Sequence, residues 1–375
     1  MFFYFINKLA RWLLYSNRRG VYTPINTVFG DVNKMTSITK KRYVDNLNVY
    51  KSSRPALATL ETVGLGLVIS LSLAGCEAPL NLEGVEAEKQ KQVRRTDQLQ
   101  GIAANATTLV VVGSDGIVLT SPVHELYWNR HKLDGAPALI DVAACPDQSF
   151  VALSIDKTTW FSSDNGSTWQ PKPLSTHEDV LDLTCAPDNS VWVVGSFSTV
   201  LHSTDKGESW NEATLNEDVM LTGIQFVDQD TVFISGEFGL VSRSDDAGMS
   251  WNMPEMIPND FYTHAAYFTS ATEGWVGGLS GQILYTEDGG ASWHKQLTPT
   301  ESPIYGFYSN AETLFAFGDH STLLRFNGQD WAAVNSHGRP VYLRDAVQLP
   351  SGELLLAGGS GSLFPLAIQS TSSGK

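Results

Sequence analysis

Cysteine is scarce in this sequence. Three cysteines occur in 375 residues, at positions 76, 145 and 185. None of them lies in a CxxC pair, and none forms a cluster with histidines at the spacing of metal ligands. The sequence therefore predicts neither a metal site nor a bound cofactor.

Basic residues are also few. The chain has 25 Lys/Arg against 40 Asp/Glu, and after Cys76 there are 15 basic and 37 acidic residues. A domain with this negative charge repels nucleic acid and anionic lipid. A nucleic-acid partner is therefore not expected.

Long apolar runs are missing as well. The run Val63–Leu73 is too short to cross a membrane comfortably. It follows Lys51 and Arg54 and ends in Leu-Ala-Gly-Cys at Cys76, which is typical of the apolar region of a secretion signal.

The Leu-Ala-Gly-Cys sequence resembles the cleavage box of bacterial lipoproteins. In that family the cysteine becomes the lipidated first residue of the mature protein, so the resemblance implies a lipid anchor at Cys76 and a periplasmic location. Glu77 follows the cysteine in place of Asp, which by the same resemblance slightly favours the outer membrane. An uncleaved anchor or a chance match are the alternatives.

These features divide the chain. We predict a targeting region over 1–76, a polar tether over 77–96, a repeat domain over 97–369 and a disordered tail over 370–375. Residues 1–34 fit a second targeting signal poorly. Met35 is therefore a candidate start in place of Met1, and a membrane-associating helix is the other interpretation.

A repeated motif organises the rest. The pattern [Ser/Thr]-x-Asp-x-Gly-x-[Ser/Thr]-Trp occurs four times, and its tryptophans are 41, 41 and 42 residues apart. A fixed period of this size indicates an array or a propeller. The shared Asp, Gly and Trp positions are Asp164, Gly166, Trp169, Asp205, Gly207, Trp210, Asp246, Gly248, Trp251, Asp288, Gly290 and Trp293.

Each repeat contains short alternating strands separated by Gly, Asp and Asn, which predict sheet and not helix. A glycine ends the second strand of each unit, except that Ser154 replaces it once, and the spacing of 40 to 42 residues gives seven units. Four strands per unit is the composition of a propeller blade. The glycines are Gly113, Gly195, Gly236, Gly278, Gly318 and Gly358. We therefore predict an all-β, seven-bladed β-propeller with four-stranded blades.

Two details of the ring are open at this stage. Unit seven lacks a fourth strand, and we predict that residues 92–97 supply it; simple packing of the blades is the alternative. Cys145 and Cys185 lie in nearly equivalent places of consecutive units. A disulfide is possible in an oxidising compartment, but buried unpaired thiols are the favoured interpretation.

The residues of the motif suit a structural turn. The Asp can accept backbone N–H bonds, the Gly supplies a positive φ, and the Trp buries a large ring against the neighbouring blade. No nucleophile or metal cage is present in it. A catalytic or calcium-binding role is not expected.

The motif is that of the Asp-box, or bacterial neuraminidase repeat, propellers. The fuller unit resembles the photosystem II assembly and stability factor family over residues 97–369. The resemblance implies a non-enzymatic, often lipid-anchored propeller that binds membrane-protein subunits during assembly. It does not say whether the host is photosynthetic. The photosynthetic members carry a basic patch, whereas this array has few arginines.

The other candidate class is a carbohydrate-binding or sialidase-like glycoside hydrolase. Sialidases resemble one another in an arginine triad, a tyrosine nucleophile and an Arg-Ile-Pro motif. The array contains five arginines and no Arg-Ile-Pro, and only Arg344 falls on a predicted inner strand. Three converging arginines cannot be assembled, so no catalytic residue is assigned. A purely structural module is a third possibility.

The first strand of each unit is predicted to line the central channel. One ring of equivalent positions is polar or aromatic from unit four round to unit one, and this arc is the candidate binding mouth. Its residues are Gln100, Thr222, His264, Tyr305 and Arg344. Ordinary packed strand positions are the alternative. The next ring contains Gly101, Asp141, Asp182, Gly223, Ala265, Gly306 and Asp345.

The expected function is that of a monomeric, membrane-anchored scaffold that binds envelope or membrane proteins. The acidic residues of the inter-blade loops are read as a solvated face, or as a surface for a basic partner.

Overall fold

The computed structural model describes residues 81–252, 255–258, 261–310, 313–336 and 339–367. The chain divides into two compact units, Met1–Leu80 and Asn81–Lys375, and the described residues all belong to the second. Cys76 and the predicted signal lie outside them. Within the described part, no helix is long and apolar enough to cross a membrane.

Seven antiparallel sheets follow one another along the chain, and each forms one blade. Blade 1 contains β1 (Leu99–Ala104), β2 (Thr108–Gly113), β3 (Ile117–Pro122) and β4 (Asn129–Lys132). Blade 2 contains β5 (Leu139–Ala144), β6 (Phe150–Ser154), β7 (Thr158–Ser162) and β8 (Gln170–Pro173). Blade 3 contains β9 (Val180–Cys185), β10 (Val191–Gly195), β11 (Thr199–Ser203) and β12 (Asn211–Thr214).

Blade 4 contains β13 (Leu221–Phe226), β14 (Val232–Gly236), β15 (Leu240–Ser244) and β16 (Glu255–Met256). Blade 5 contains β17 (Thr263–Phe268), β18 (Gly274–Gly278), β19 (Ile283–Thr286) and β20 (His294–Gln296). Blade 6 contains β21 (Ile304–Ser309), β22 (Leu314–Gly318), β23 (Leu323–Phe326) and β24 (Trp331–Ala333), and blade 7 contains β25 (Leu343–Gln348), β26 (Leu354–Gly358) and β27 (Leu363–Leu366).

The predicted seven-bladed propeller is therefore confirmed. The residues used to count the units, Ser154 included, are each the last residue of a second strand. These second strands are almost wholly buried, because apolar side chains on both of their faces pack against the two adjacent blades.

Two faces of the ring can be distinguished by their connections. The connection face carries the turns between second and third strands and the segments that lead from one blade into the next. The box face carries the Asp boxes, which connect third strands to fourth strands. Each inner strand begins at the connection face.

The ring closes between blades 7 and 1 by packing. Leu355 and Ala357 of blade 7 share one buried cluster with Leu99, Leu109 and Val111 of blade 1. Burial of this apolar surface joins the two ends of the array without a shared strand.

The prediction that residues 92–97 form a fourth strand of blade 7 is wrong. Within the described residues, blade 7 has three strands, and residues 92–97 are not among them. The segment lies at the connection face, where Gly361 donates its backbone N–H to the Asp97 carbonyl at 2.8 Å. Pro137, Val219 and Val341 accept equivalent bonds before other inner strands. Residues 92–97 therefore serve as an inter-blade connection and form no strand.

Part of the predicted tether is helical. Helix α1 (Glu83–Lys89) contains no buried residue, and all of its residues except the half-buried Glu88 are exposed. Lys89 pairs with Glu86 at 2.8 Å, and Lys91 pairs with Glu88 at 2.8 Å. Ion pairs at the surface add little stability. The helix therefore reflects the helical preference of this short polar sequence.

The favoured interpretation of unpaired thiols is wrong in this structure. Cys145 and Cys185 are joined by a disulfide, with their Cα atoms 5.1 Å apart. The two residues stand at the box-face ends of the adjacent inner strands β5 and β9. Equivalent positions on neighbouring inner strands come close enough to bond, which the spacing along the chain could not establish.

Candidate functional site in the central channel

Five side chains predicted to form a binding mouth all lie on inner strands at the connection-face end. His264 and Tyr305 meet edge to face, with ring centroids 5.5 Å apart. Gln100 Nε2 donates to the Tyr342 hydroxyl at 2.8 Å. Arg344 acts electrostatically on His264 and Tyr305, so these three residues share one region.

Of the five mouth residues, Thr222 has the fewest contacts with the others. Its hydroxyl is buried and has no hydrogen-bond partner among the described residues. The structure therefore brings together Gln100, His264, Tyr305 and Arg344 through direct or electrostatic contacts. It shows no such contact for Thr222.

Two tyrosines belong to this region although the sequence-based register omitted them. Tyr262 packs against His264 with ring centroids 5.0 Å apart, and Tyr342 accepts the bond from Gln100. Each directly precedes an inner strand. A search that included the residue before each inner strand would have found both.

Three aspartates of the second ring connect neighbouring blades. Asp345 Oδ2 accepts from the Ile102 backbone N–H at 2.9 Å, across the junction of blades 7 and 1. The corresponding bonds run from Leu183 N to Asp141 Oδ2 at 2.9 Å and from Ile224 N to Asp182 Oδ2 at 2.8 Å. These carboxyls therefore hold inner strands together around the channel.

The channel carboxyls are surrounded by protein, which disfavours their ionised form. Burial raises the pKa of Asp345 to about 7. Burial raises the pKa of Asp182 well above its usual range, and the neighbouring Asp141 charge adds to this effect. Burial also raises the pKa of Asp141. Burial therefore favours the neutral forms of these three carboxyls.

Burial also favours the neutral forms of the histidine and tyrosine at the mouth. Burial lowers the pKa of His264 to about 4, and the nearby Arg344 charge acts in the same direction. Burial raises the pKa of Tyr342 to about 12. His264 and Tyr342 are thus neutral at pH 7, and Arg344 is the cationic group among the described residues of the mouth. Carboxyl groups border it as well, because Glu237 accepts from the Tyr262 hydroxyl at 2.8 Å and Asp319 acts electrostatically on Tyr305.

Glycine replaces the ring aspartate in blade 4. A cavity of about 60 Å³ lies beside Gly223, and its lining includes Asp182, Ser235 and Ala266. The buried Ser235 hydroxyl has no partner among the described residues. This polar cavity has room for water.

The Asp boxes have a structural geometry on the box face. Asp205 Oδ1 accepts from the Ser209 N–H at 2.9 Å, and its Oδ2 accepts from the Ser209 hydroxyl at 2.6 Å. Gly207 has φ +80°, and its Cα faces the ring of Phe161 in the preceding blade. These bonds lower the pKa of Asp205 to about 2, the Ser209 hydroxyl bond first among them. The carboxylates of the Asp boxes therefore accept hydrogen bonds within their own turns.

The other boxes repeat this arrangement. The glycines Gly166, Gly248 and Gly290 also have positive φ values. The tryptophans pack into the interfaces with the preceding blades, as seen for Trp169, Trp210, Trp251 and Trp293. The remaining box aspartates, Asp164, Asp246 and Asp288, each accept hydrogen bonds within their own turn.

The arginines are dispersed. Arg130 on β4 pairs with Asp97, and Arg243 on β15 pairs with Asp245. Arg325 lies on β23 and Arg339 in the segment before blade 7. Only Arg344 reaches the channel, so a sialidase-type triad cannot form from the described residues. Among them, no group of His, Cys, Asp or Glu is placed to hold a metal ion.

Comparison with known proteins agrees with this geometry. Residues 120–254 match the family model described as "Photosynthesis system II assembly factor YCF48". The chain resembles this assembly-factor family. No curated protein sequence matches it.

Solved structures show the same fold at low identity. YCF48 from Cyanidioschyzon merolae is 15% identical, with a TM-score of 0.62, over 74% of this chain and 98% of that one. A YCF48 bound to a D1 peptide is 14% identical, with a TM-score of 0.62, over 74% and 96%. A streptogramin B lyase is 10% identical, with a TM-score of 0.63, over 72% and 92%. At such identities the likeness extends to the fold alone, which hosts both binding proteins and enzymes.

Proposed function

We propose that this chain is a non-catalytic, membrane-anchored propeller that binds a segment of an envelope or membrane-protein partner and assists the assembly or stability of a membrane complex. The observation that carries the proposal is the channel mouth. It combines the cationic Arg344 with hydrogen-bonding and aromatic side chains, and the carboxyl groups of Glu237 and Asp319 lie at its border. Arginine and aromatic side chains are enriched in the cores of protein–protein interfaces, which supports a polypeptide as the ligand.

The electrostatics of the mouth support this function. Burial raises the pKa values of Asp141, Asp182 and Asp345, which favours their neutral forms and weakens their compensation of the Arg344 charge. Its five N–H donors suit a carboxylate or backbone carbonyl of an incoming chain. His264 and Tyr305 offer apolar ring surface beside it.

The absence of catalysis is part of the proposal. The dispersed arginines give no sialidase site, and the box carboxylates are bonded within their own turns. The resemblance to an assembly-factor family, one of whose structures holds a D1 peptide, favours binding. The likeness to a lyase is one of fold.

Anchoring and location are also proposed. Lipidation of Cys76 would hold the propeller at the periplasmic side of a membrane, with the outer membrane slightly favoured. The Cys145–Cys185 disulfide supports this location, because disulfides persist in oxidising compartments. A Cys76→Ser variant should leave the membrane fraction. If it remains there, anchoring through residues 1–34 replaces the lipid anchor.

The binding function is tested by crosslinked pull-down from membranes followed by mass spectrometry. The wild type is compared with Arg344→Ala/His264→Ala and with the box-face control Tyr127→Asn/Met249→Asn, which changes two exposed apolar residues. We expect the same envelope proteins with the wild type and the control, and their loss with the mouth variant. Equal recovery from all three would overturn the mouth as the binding site.

A further inference from the structure

Large apolar side chains are exposed on one sector of the connection face. Four consecutive blades, 2 to 5, each present one at the turn between the second and third strands. The residues and their exposed fractions are Ile155 at 60%, Phe197 at 59%, Phe238 at 52% and Leu279 at 47%. Single exposed apolar residues are common, but a series on neighbouring blades of one face marks an interaction surface.

The backbone at two of these residues is unfavourable for their side chains. Phe197 has φ +51° and Phe238 has φ +59°. The left-handed region disfavours bulky residues, and Gly or Asn occupies it more readily. The equivalent residues of other blades are Asp115, Ser280, His320 and Ser360. Neither burial nor local geometry accounts for phenylalanine in blades 3 and 4, which points to a role outside the fold.

Acidic residues lie between these apolar side chains. On one side of Phe197, the Ser196 hydroxyl donates to Glu178 Oε2 at 2.8 Å. On its other side, the Glu217 backbone N–H donates to the Ser198 hydroxyl at 3.0 Å. These contacts place the segments that carry Glu178–Asp179 and Glu217–Asp218 beside the Phe197 turn.

Little positive charge offsets this acidity. Lys157 lies 3.6 Å from Asp179 and forms the ion pair of this sector. Glu217 and Asp218 have no ion pair among the described residues. The sector therefore combines exposed apolar side chains with net negative charge.

We propose that this apolar–acidic sector, formed by Ile155, Phe197, Phe238 and Leu279 with the acidic residues between them, docks a protein segment in which Lys or Arg alternates with apolar residues. The inference rests on the proposed function only in that the chain binds a protein. Charge complementarity selects the partner: basic side chains meet Glu178, Asp179, Glu217 and Asp218, while apolar ones cover the phenylalanines.

A membrane surface is the less favoured occupant. Anionic headgroups attract basic groups on a membrane-facing surface and repel acidic groups. The acidic residues here lie between the apolar side chains, so insertion of the phenylalanines would bring carboxylates to the lipid surface.

The test uses the chain from residue 77 and two synthetic 18-residue amphipathic peptides, one of Leu and Lys and one of Leu and Glu. Affinity is measured by fluorescence anisotropy at physiological salt. The variant Phe197→Asn/Phe238→Asn removes the apolar rings and places a residue that tolerates positive φ, so its fold is preserved. Tyr127→Asn/Met249→Asn on the box face is the matched control.

We expect the Leu/Lys peptide to bind the wild type and the control alike, and to bind the phenylalanine variant about tenfold more weakly or worse. The Leu/Glu peptide should bind none of them. Equal binding of the Leu/Lys peptide to all three proteins overturns the docking sector, since the charge alone would then suffice.

Two further measurements separate the alternatives. If Arg344→Ala still binds the Leu/Lys peptide, the sector acts apart from the channel mouth. If Arg344→Ala does not bind it, the peptide binds at the mouth and the docking sector is overturned. The second measurement is co-sedimentation with zwitterionic or anionic vesicles. If the wild type binds vesicles, Phe197→Asn/Phe238→Asn does not, and neither binds the peptide, the sector contacts a membrane and the proposal is overturned. Failure of the sector leaves the pull-down through Arg344 and His264 unaffected.

Discussion

At the scale of single residues, the first position of each Asp box is a buried hydroxyl with two roles. Ser203 is 1% exposed. Its Oγ donates to Asp205 Oδ1 at 2.8 Å and accepts from the Gly207 N–H at 2.9 Å. The serine therefore orients the Asp205 carboxylate and accepts the hydrogen bond of the buried Gly207 N–H. The sequence pattern of the motif does not show these two roles.

Ser203→Ala should lower the free energy of unfolding by about 1–3 kcal/mol, because the buried Gly207 N–H loses its acceptor. The exposed Ser209→Ala is the matched control in the same box and should cost less. Urea denaturation of both variants measures the difference. Equal losses would show that the buried hydroxyl has no special role.

A second residue-scale prediction concerns the pH dependence of stability. The folded pKa of Asp345 is about 7, above its ordinary value of 3.8. The native state therefore keeps a proton that the unfolded chain has lost, and the stability from this group is complete below about pH 4 and is lost as the pH rises through about 7.

Asp345→Asn keeps an oxygen to accept from Ile102 N but cannot ionise. The variant should lose less stability than the wild type between pH 5 and pH 8. Urea midpoints at intervals of one pH unit measure this, with the exposed Asp218→Asn as control. If the urea midpoint of Asp345→Asn falls with pH as steeply as that of the wild type, Asp345 is not the group responsible.

At the scale of elements, the inner strands are held to one another by contacts of several kinds. Asp141, Asp182 and Asp345 accept backbone N–H bonds from the next blade, and Gln225 exchanges two bonds with Phe268 in blade 5. The disulfide joins the box-face ends of β5 and β9. The inner layer is therefore crosslinked more strongly between blades 2 and 3 than elsewhere in the described ring.

Reduction of the disulfide should destabilise the propeller. Cys145 and Cys185 are 40 residues apart, and closing a loop of this length contributes about 2–4 kcal/mol in a chain-entropy account. Dithiothreitol should lower the urea midpoint of the wild type. It should leave Cys145→Ser/Cys185→Ser unchanged, and an equal shift in that variant would refute the contribution.

The sequence predicted the blades because their signals are local and repeated. The marker residues Gly113 and Ser154 ended second strands as expected. The contacts between strands were harder to foresee: Asp141 and Asp345 appeared as ring positions, but no local pattern distinguishes a bonding aspartate from a solvated one. The disulfide likewise depends on the lateral approach of two strands.

At the scale of the whole molecule, a segment that precedes the first strand adds to the packing that closes the ring. Asp97 is 1% exposed, and Arg130 on β4 donates to both of its carboxylate oxygens at 2.8 and 2.9 Å. Arg130 also donates to the Gln92 carbonyl at 2.8 Å. The pair fixes residues 92–97 across the connection face.

Arg130→Met should cost about 3–5 kcal/mol, because Asp97 would remain buried without its counter-charge. Asp97→Asn/Arg130→Met should recover part of this loss. Lys206→Met, which breaks the exposed pair with Asp147, should cost about 0–1 kcal/mol. Urea denaturation and limited proteolysis of residues 92–97 measure both effects. A small loss in Arg130→Met would show that blade packing alone closes the ring.

The position of this segment was only partly predictable. Its place beside blade 7 followed from the missing strand, whereas its conformation depends on Asp97 reaching both Gly361 and Arg130. The binding mouth shows the same limit, since register placed His264 and Tyr305 together but could not include Tyr262 and Tyr342. Periodicity locates strands, and side chains from the connections complete the site.

The closure of the ring also determines how the molecule would respond to mechanical load. Tension on the chain ahead of residue 92 reaches the propeller at the Asp97–Arg130 pair and the Gly361–Asp97 bond, before any β-sheet is loaded. These contacts would yield first, releasing the seam between blades 7 and 1 while the Cys145–Cys185 bond still holds blades 2 and 3 together. Under tension at its N-terminal side, a propeller of this design is weakest at the contacts that residues 92–97 make with Arg130 and Gly361.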